Sequence, residues 1–195
     1  MVKSVKYALR NLLTFSGRDN RPTFWWYFLA VYLLTVAISM VVAVPMTIGM
    51  IADGVSAAQA TGGSEAAEAA MQDSMARFMR TTIWLSVITS LLMMLLIATS
   101  FVRRLHDAGL TGWIALVPAA INVVMMARMP GQVDTMLAAM KAGAKSPLTA
   151  SFGTVPGSEL QMLLGWLPTL MVVGLALLPS SDGANRFGEE PDDLD

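Results

Sequence analysis

Four stretches of this chain continue far enough without a charged side chain to cross a bilayer. They are Phe24 to Ala52, Thr81 to Val102, Ala108 to Ala127 and Leu160 to Ser181. A hydrocarbon core takes about 20 apolar helical residues to traverse. The pattern therefore predicts an all-α, polytopic membrane protein with four transmembrane helices, at about 24–50, 81–102, 108–127 and 160–180. Ahead of them Val2, Val5, Leu9, Leu12 and Leu13 alternate at helical spacing with Lys3, Lys6 and Arg10. That is the pattern of a short helix over 2–15 lying in the membrane interface, its basic face toward anionic headgroups. A basic anchor that only fixes topology would carry the same residues.

Local signals refine this outline. Gly17 stops the first helix, and Pro22 starts the next. The aromatic run Phe24, Trp25, Trp26, Tyr27 and Phe28 reads as an interfacial belt. Pro45 and Gly49 weaken the far end of span one. From Ser64 a helix-favouring segment leads directly into span two, which Gly109 ends. Leu110 to Gly112 then forms so short a turn that spans two and three must be antiparallel neighbours. Pro118 is expected to kink span three, which also carries Asn122. A short amphipathic piece, Val133 to Lys141, precedes the breaker-rich residues 143–157, and Ser158 with Gln161 forms a capping box for span four. Pro168 and Gly174 interrupt that span. An acidic tail covers 182–195, and its last eight residues are expected to be disordered. All of this belongs to a single four-span domain.

Composition agrees with the pattern: 55% of residues are hydrophobic and only 14% charged, whereas soluble domains carry about 25% charged residues. The net charge of −1 excludes a general attraction to nucleic acid. With no cysteine and one histidine, thiolate chemistry and the common multi-histidine metal sites are excluded, and no cofactor is implied. Lysine and arginine set orientation. Lys3, Lys6, Arg10, Arg18, Arg21, Arg103, Arg104 and Arg186 share one side, against Arg77, Arg80, Arg128, Lys141 and Lys145 on the other. The bias places both termini in the cytoplasm.

Three polar motifs then fall on that cytoplasmic side: Phe15 to Trp26, Arg103 to Trp113, and Gly183 to Pro191. Asp107 lies one turn after Arg103, where the two can pair. Arg103 and Arg104 also suit a helix C-terminus, and a lone His106 more often caps or hydrogen-bonds than binds metal. The closing Asn185-Arg186-Phe187-Gly188 follows a span closely enough to fold back over the helix ends. The candidate binding cluster is Arg18, Arg21, Arg103, Arg104, His106, Asp107, Asn185 and Arg186. Five arginines against one aspartate would leave excess positive charge.

These motifs resemble those of the bacterial domain-of-unknown-function 805 family, the YhaH-like inner-membrane proteins. Phe15, Ser16, Gly17, Arg18, Arg21, Phe24 and Trp25 match its first segment. Arg103, Arg104, Leu105, His106, Asp107, Gly109, Gly112 and Trp113 match its second. Gly183, Asn185, Arg186, Phe187 and Gly188 match its third. Thr111, Ile114 and Phe187 depart from the family's usual serine, tryptophan and tyrosine. The resemblance implies a bacterial inner-membrane location and no particular activity.

No catalytic residue is identified. The favoured reading is a non-enzymatic envelope scaffold or partner-binding protein, as a homo-oligomer or with a protein partner. One alternative binds or processes anionic lipid headgroups, with the arginines on phosphate and His106 and Asp107 as an acid–base pair. The other is an oligomeric transporter or channel component, for which spans free of ionisable residues offer little.

Overall fold

The computed structural model describes residues 2–60, 64–141 and 158–191 of the 195-residue chain. Among these residues every regular element is helical: α1 (Val2–Arg10), α2 (Arg21–Ala60), α3 (Ser64–Asp107), a 3₁₀ turn (Gly112–Ala115), α4 (Leu116–Lys141) and α5 (Ser158–Ala176). Three segments are long and apolar enough to cross a membrane: Arg21–Ala57, Gln72–Asp107 and Gly112–Met129. A shorter apolar helix covers Leu164–Ala176.

Several helices outrun their expected limits. α2 continues through Pro45 to Ala60, so neither Pro45 nor Gly49 ends it. An interior proline removes one backbone hydrogen bond, a loss that long apolar helices absorb without stopping. α5 likewise continues through Pro168 and Gly174, and it ends at Ala176 rather than near 180. Pro118 does not interrupt span three. It falls in the first turn of α4, where no intrahelical partner awaits its missing N–H. The Val133–Lys141 piece is the continuation of α4. As expected, α3 leads without a break from Ser64 into the second apolar segment. α1 stops at Arg10, and residues 11–13 form a turn instead of helix. The breaker-rich residues 143–157 and the side chains of the Ser158–Gln161 cap lie outside the described residues.

The chain groups into two compact units, each built from parts of the long helices. The first comprises Met1–Thr35, Leu91–Met125 and Leu160–Asp195. Its core is made by Phe24, Tyr27 and Val31 of α2 and Ile97, Phe101 and Leu105 of α3, with Ala8 and Ala176. The spacings of three and four residues place each set on one helix face. The aromatic run is therefore no simple belt. Five consecutive aromatics must encircle a helix, so Phe24 and Tyr27 turn inward while Trp26 stays exposed. The Tyr27 hydroxyl donates to the Leu96 carbonyl at 2.9 Å.

The second unit comprises Val36–Ser90 and Met126–Glu159. Its ion pairs include Arg77 with Asp73 at 2.6 Å and Arg80 with Asp134 at 3.4 Å, and the buried Ser74 donates to Asp53 at 3.3 Å. Exposed pairs of this kind contribute little to stability.

Candidate functional site

The last turn of α3 is the centre of the first unit's polar chemistry. Gly109, at φ +74°, ends the helix. The Leu110 N–H returns to the Leu105 carbonyl at 2.9 Å and the Gly109 N–H to the His106 carbonyl at 3.0 Å. This is a Schellman closure, with Leu110 joining the core that contains Leu105. Gly112 is required for a different reason. A Cβ there would sit 2.7 Å from Val102 Cγ1 and 3.1 Å from His106 Nε2, so the 3₁₀ turn lies close against the end of α3.

A helix end leaves four carbonyls without intrahelical partners, and in α3 the other motifs help to satisfy them. Asn185 Nδ2 donates to the His106 carbonyl at 3.0 Å. The Ser181 N–H and hydroxyl donate to the Asp107 carbonyl at 2.8 and 3.0 Å. One position further in, the Asp19 N–H also reaches the Arg103 carbonyl at 3.2 Å. The closing motif thus folds back onto the α3 terminus, where it forms a tight turn with reciprocal Asn185–Gly188 backbone bonds of 3.0 and 3.1 Å.

Three buried guanidiniums join these segments. Arg18 donates from Nε and Nη2 to Asp107 Oδ1 at 3.1 and 3.0 Å. Its remaining N–H groups go to the carbonyls of Ser181 at 2.7 Å, Gly183 at 2.6 Å and Gly188 at 3.4 Å. Arg103 grips Asp19 with both ends of its fork, at 2.8 and 3.1 Å. Its Nη1 donates to the Asn11 and Thr14 carbonyls, each at 2.8 Å, closing the turn after α1. Arg104 donates to Asp107 Oδ2, to the Ala176 carbonyl at 3.1 Å and to the Leu178 carbonyl. It thereby caps the C-terminus of α5, a place where the helix dipole favours positive charge. Ser180 donates to Asp107 Oδ2 at 2.5 Å, and Ser100 to Asp19 Oδ2 at 2.6 Å.

The expected Arg103–Asp107 pair does not form. Arg103 and Arg104 point about 100° apart around the helix. Arg104 takes Asp107 at i+3 spacing, while Arg103 faces the loop carrying Asp19. The charge count also changes. Arg18, Arg103, Arg104, Asp19 and Asp107 are all buried, giving three cations and two anions. Carbonyl dipoles surround the residual charge. Arg21 and Arg186 remain exposed; Arg21 Nε reaches the Leu178 carbonyl at 3.1 Å and Arg186 the Gly109 carbonyl at 3.4 Å.

His106 lies at the edge of the network. Its Nδ1 meets the Gly17 carbonyl at 3.2 Å, and since a carbonyl only accepts, Nδ1 carries the proton. Its ring stacks on Phe187 at 3.9 Å between centroids, and Arg186 covers the Phe187 ring at 4.6 Å. Asp107 is fully buried and saturated by its donors, so it is no free acid–base partner for this imidazole. Within the last eight residues Glu190 accepts the Gly183 N–H at 3.1 Å, and 192–195 lie outside the described residues. Beside the network a cavity of about 250 Å³ opens between Tyr7, Thr23 and Glu189. Burial, with Asp19 adding to it, pushes the Tyr7 phenol above its ordinary value, and Arg103 offsets part of the shift. Tyr7 therefore stays protonated at neutral pH.

Sequence reasoning missed Asp19, Asn20, Ser100, Ser180 and Ser181. Asn20 caps α2, accepting the Thr23 N–H at 3.0 Å. Asp19 had a signal: it is the only acidic residue before Asp53, and it sits inside the first motif among arginines. The serines had none, because their positions matter only once the segments meet.

Long apolar helices with a buried ionic network at their ends define a helical membrane protein. The family model described as "Protein of unknown function (DUF805)" matches residues 12–189, and the chain belongs to that family. No curated protein and no solved structure matches it.

Proposed function

We infer that this protein is a four-span inner-membrane protein of the bacterial envelope, with both ends in the cytoplasm. It acts there as a non-enzymatic scaffold or partner-binding component. In this reading the three motifs are a structural clamp that holds the cytoplasmic helix ends in one arrangement, and binding surfaces are displayed around it. The lysine and arginine bias supports the orientation. The apolar Leu164–Ala176 part of α5, whose end meets Arg104 at the same network as the end of α3, supports the fourth span.

One observation carries the clamp reading: every N–H of Arg18 and both oxygens of Asp107 are taken by protein groups, with Asp107 fully buried. A phosphate would have to displace these partners, and a substrate has no route to the carboxylate. The test is Asp107→Asn in the purified full-length protein, followed by thermal unfolding and native mass spectrometry of retained lipid. Breaking one side of a buried ion pair costs about 3–5 kcal/mol, so a large fall in Tm is expected. An unchanged Tm accompanied by loss of a retained anionic lipid would instead identify a headgroup site.

A further inference from the structure

α1 presents an unusual pair of faces. The side packed on the first unit buries Ser4 and Ala8, with Val5 and, in the turn that follows, Leu12 partly buried against the core. Three of the five apolar residues of its amphipathic pattern are nevertheless left uncovered: Val2 is 74% exposed, Leu9 51% and, in the turn that follows, Leu13 89%. Phe15, a few residues on, is 51% exposed. Val2 and Leu9, seven apart, share one stripe, and Lys6 and Arg10, both exposed, line the neighbouring stripe. No acidic residue occurs before Asp19. The helix is also held in place, because the Asn11 and Thr14 carbonyls that follow it accept from Arg103.

We propose that α1 and its following turn form an in-plane docking surface for an anionic bilayer, with Val2, Leu9 and Leu13 among the acyl chains and Lys6 and Arg10 on lipid phosphates. This rests on the membrane placement argued above and adds the partner's chemistry. The occupant follows from charge and shape together. An apolar stripe bordered by cations alone matches a surface that is apolar inside and negative at its boundary. The buried guanidiniums of Arg18, Arg103 and Arg104, bonded to Asp107, Asp19 and backbone carbonyls, take no part; lipid recognition uses the outward residues. Because Arg103 fixes the end of α1, the depth of this helix is set by the clamp and its occupancy by the lipid.

The chain has no cysteine, so an introduced one is the sole label. The experiment places Leu9→Cys, and Asp182→Cys as an exposed reference, in full-length protein reconstituted in two vesicle types. One is phosphatidylcholine alone, and the other is phosphatidylcholine with phosphatidylglycerol. Shielding from a water-soluble maleimide and quenching of an attached fluorophore by brominated acyl chains are measured. In the phosphatidylglycerol vesicles Leu9→Cys is expected to be shielded and quenched while Asp182→Cys is neither. Each of Lys6→Gln and Arg10→Gln should lower the ratio of docked to undocked helix about fivefold, the effect of one basic residue at an anionic surface. Equal labelling of Leu9→Cys and Asp182→Cys in both vesicles overturns the proposal. So does shielding without bromine quenching that rises with protein density, which identifies a protein partner or second copy. Docking indifferent to lipid charge and to both glutamine variants overturns the headgroup recognition. Tm of the glutamine variants should match the parent; the clamp is tested separately by Asp107→Asn, so either reading can fail alone.

Discussion

At the residue scale the chemistry depends on matching geometry. A guanidinium is a flat fork with five N–H groups, and Arg18 spends all five on one carboxylate oxygen and three tail carbonyls. A lysine offers three donors from a single point and cannot span these acceptors. Asp19 is the counterpart on the other side, accepting from Arg103 twice and from Ser100. Asp19→Asn keeps the volume, removes the charge and puts an NH₂ where an oxygen accepts. The loss expected is about 3–5 kcal/mol, the range for breaking a buried pair, measured by chemical or thermal unfolding in detergent. A loss below about 1 kcal/mol, the level of an exposed pair, would show that Arg103 is satisfied by the Asn11 and Thr14 carbonyls alone.

At the element scale the decisive features are helix ends rather than helix bodies. α3 ends in a Schellman closure, α5 ends under Arg104, and α2 begins with an asparagine cap. Two glycines at the α3–α4 turn are needed for separate reasons, and substitutions separate them. Gly109→Val forces a β-branched residue to φ +74° and should cost about 1–2 kcal/mol. Gly112→Ala has ordinary φ but brings a methyl to 2.7 Å from Val102 Cγ1. Overpacking of that kind typically costs about 1–3 kcal/mol, and Val102→Ala in the same chain should recover part of it. Gly165→Ala in α5, with nothing within 4 Å, serves as the control and should be neutral or mildly stabilising. Equal Tm for the Gly112 variant and the control would remove the close approach from the account.

At the scale of the whole molecule the testable statement is topology. Single cysteines at Gly63 and Lys145 should react with an impermeant reagent added outside intact cells, whereas cysteines at Lys6 and Asp182 should react only after the membrane is opened. Lys6 and Asp182 are exposed, so their protection in intact cells reports the membrane and not burial. Reaction of Asp182→Cys from outside would place the network on the opposite face and overturn the scaffold reading as stated.

The sequence by itself determined the helical class, the apolar segments and the family, because runs of uncharged residues and ordered motifs are local properties of the chain. It also marked the turn at Gly109, where one residue's backbone freedom decides the outcome. It misjudged Pro168, through which α5 continues, since a proline's effect depends on its distance from a helix end and on what surrounds it. The site divides in the same way. Arg18, Arg103, Arg104, Asp107 and Asn185 were legible as polar residues stranded beside apolar segments. Their partners were not, because spacing along one helix suggested Arg103 with Asp107. Only the tertiary structure decided that Asp19 takes Arg103 and that Asp107 is shared by Arg18 and Arg104. The Arg103–Asp19 and Arg18–Asp107 contacts join residues more than eighty positions apart, and a buried charge takes whatever carboxylates and carbonyls the fold brings within hydrogen-bond reach, however far away they are in the chain.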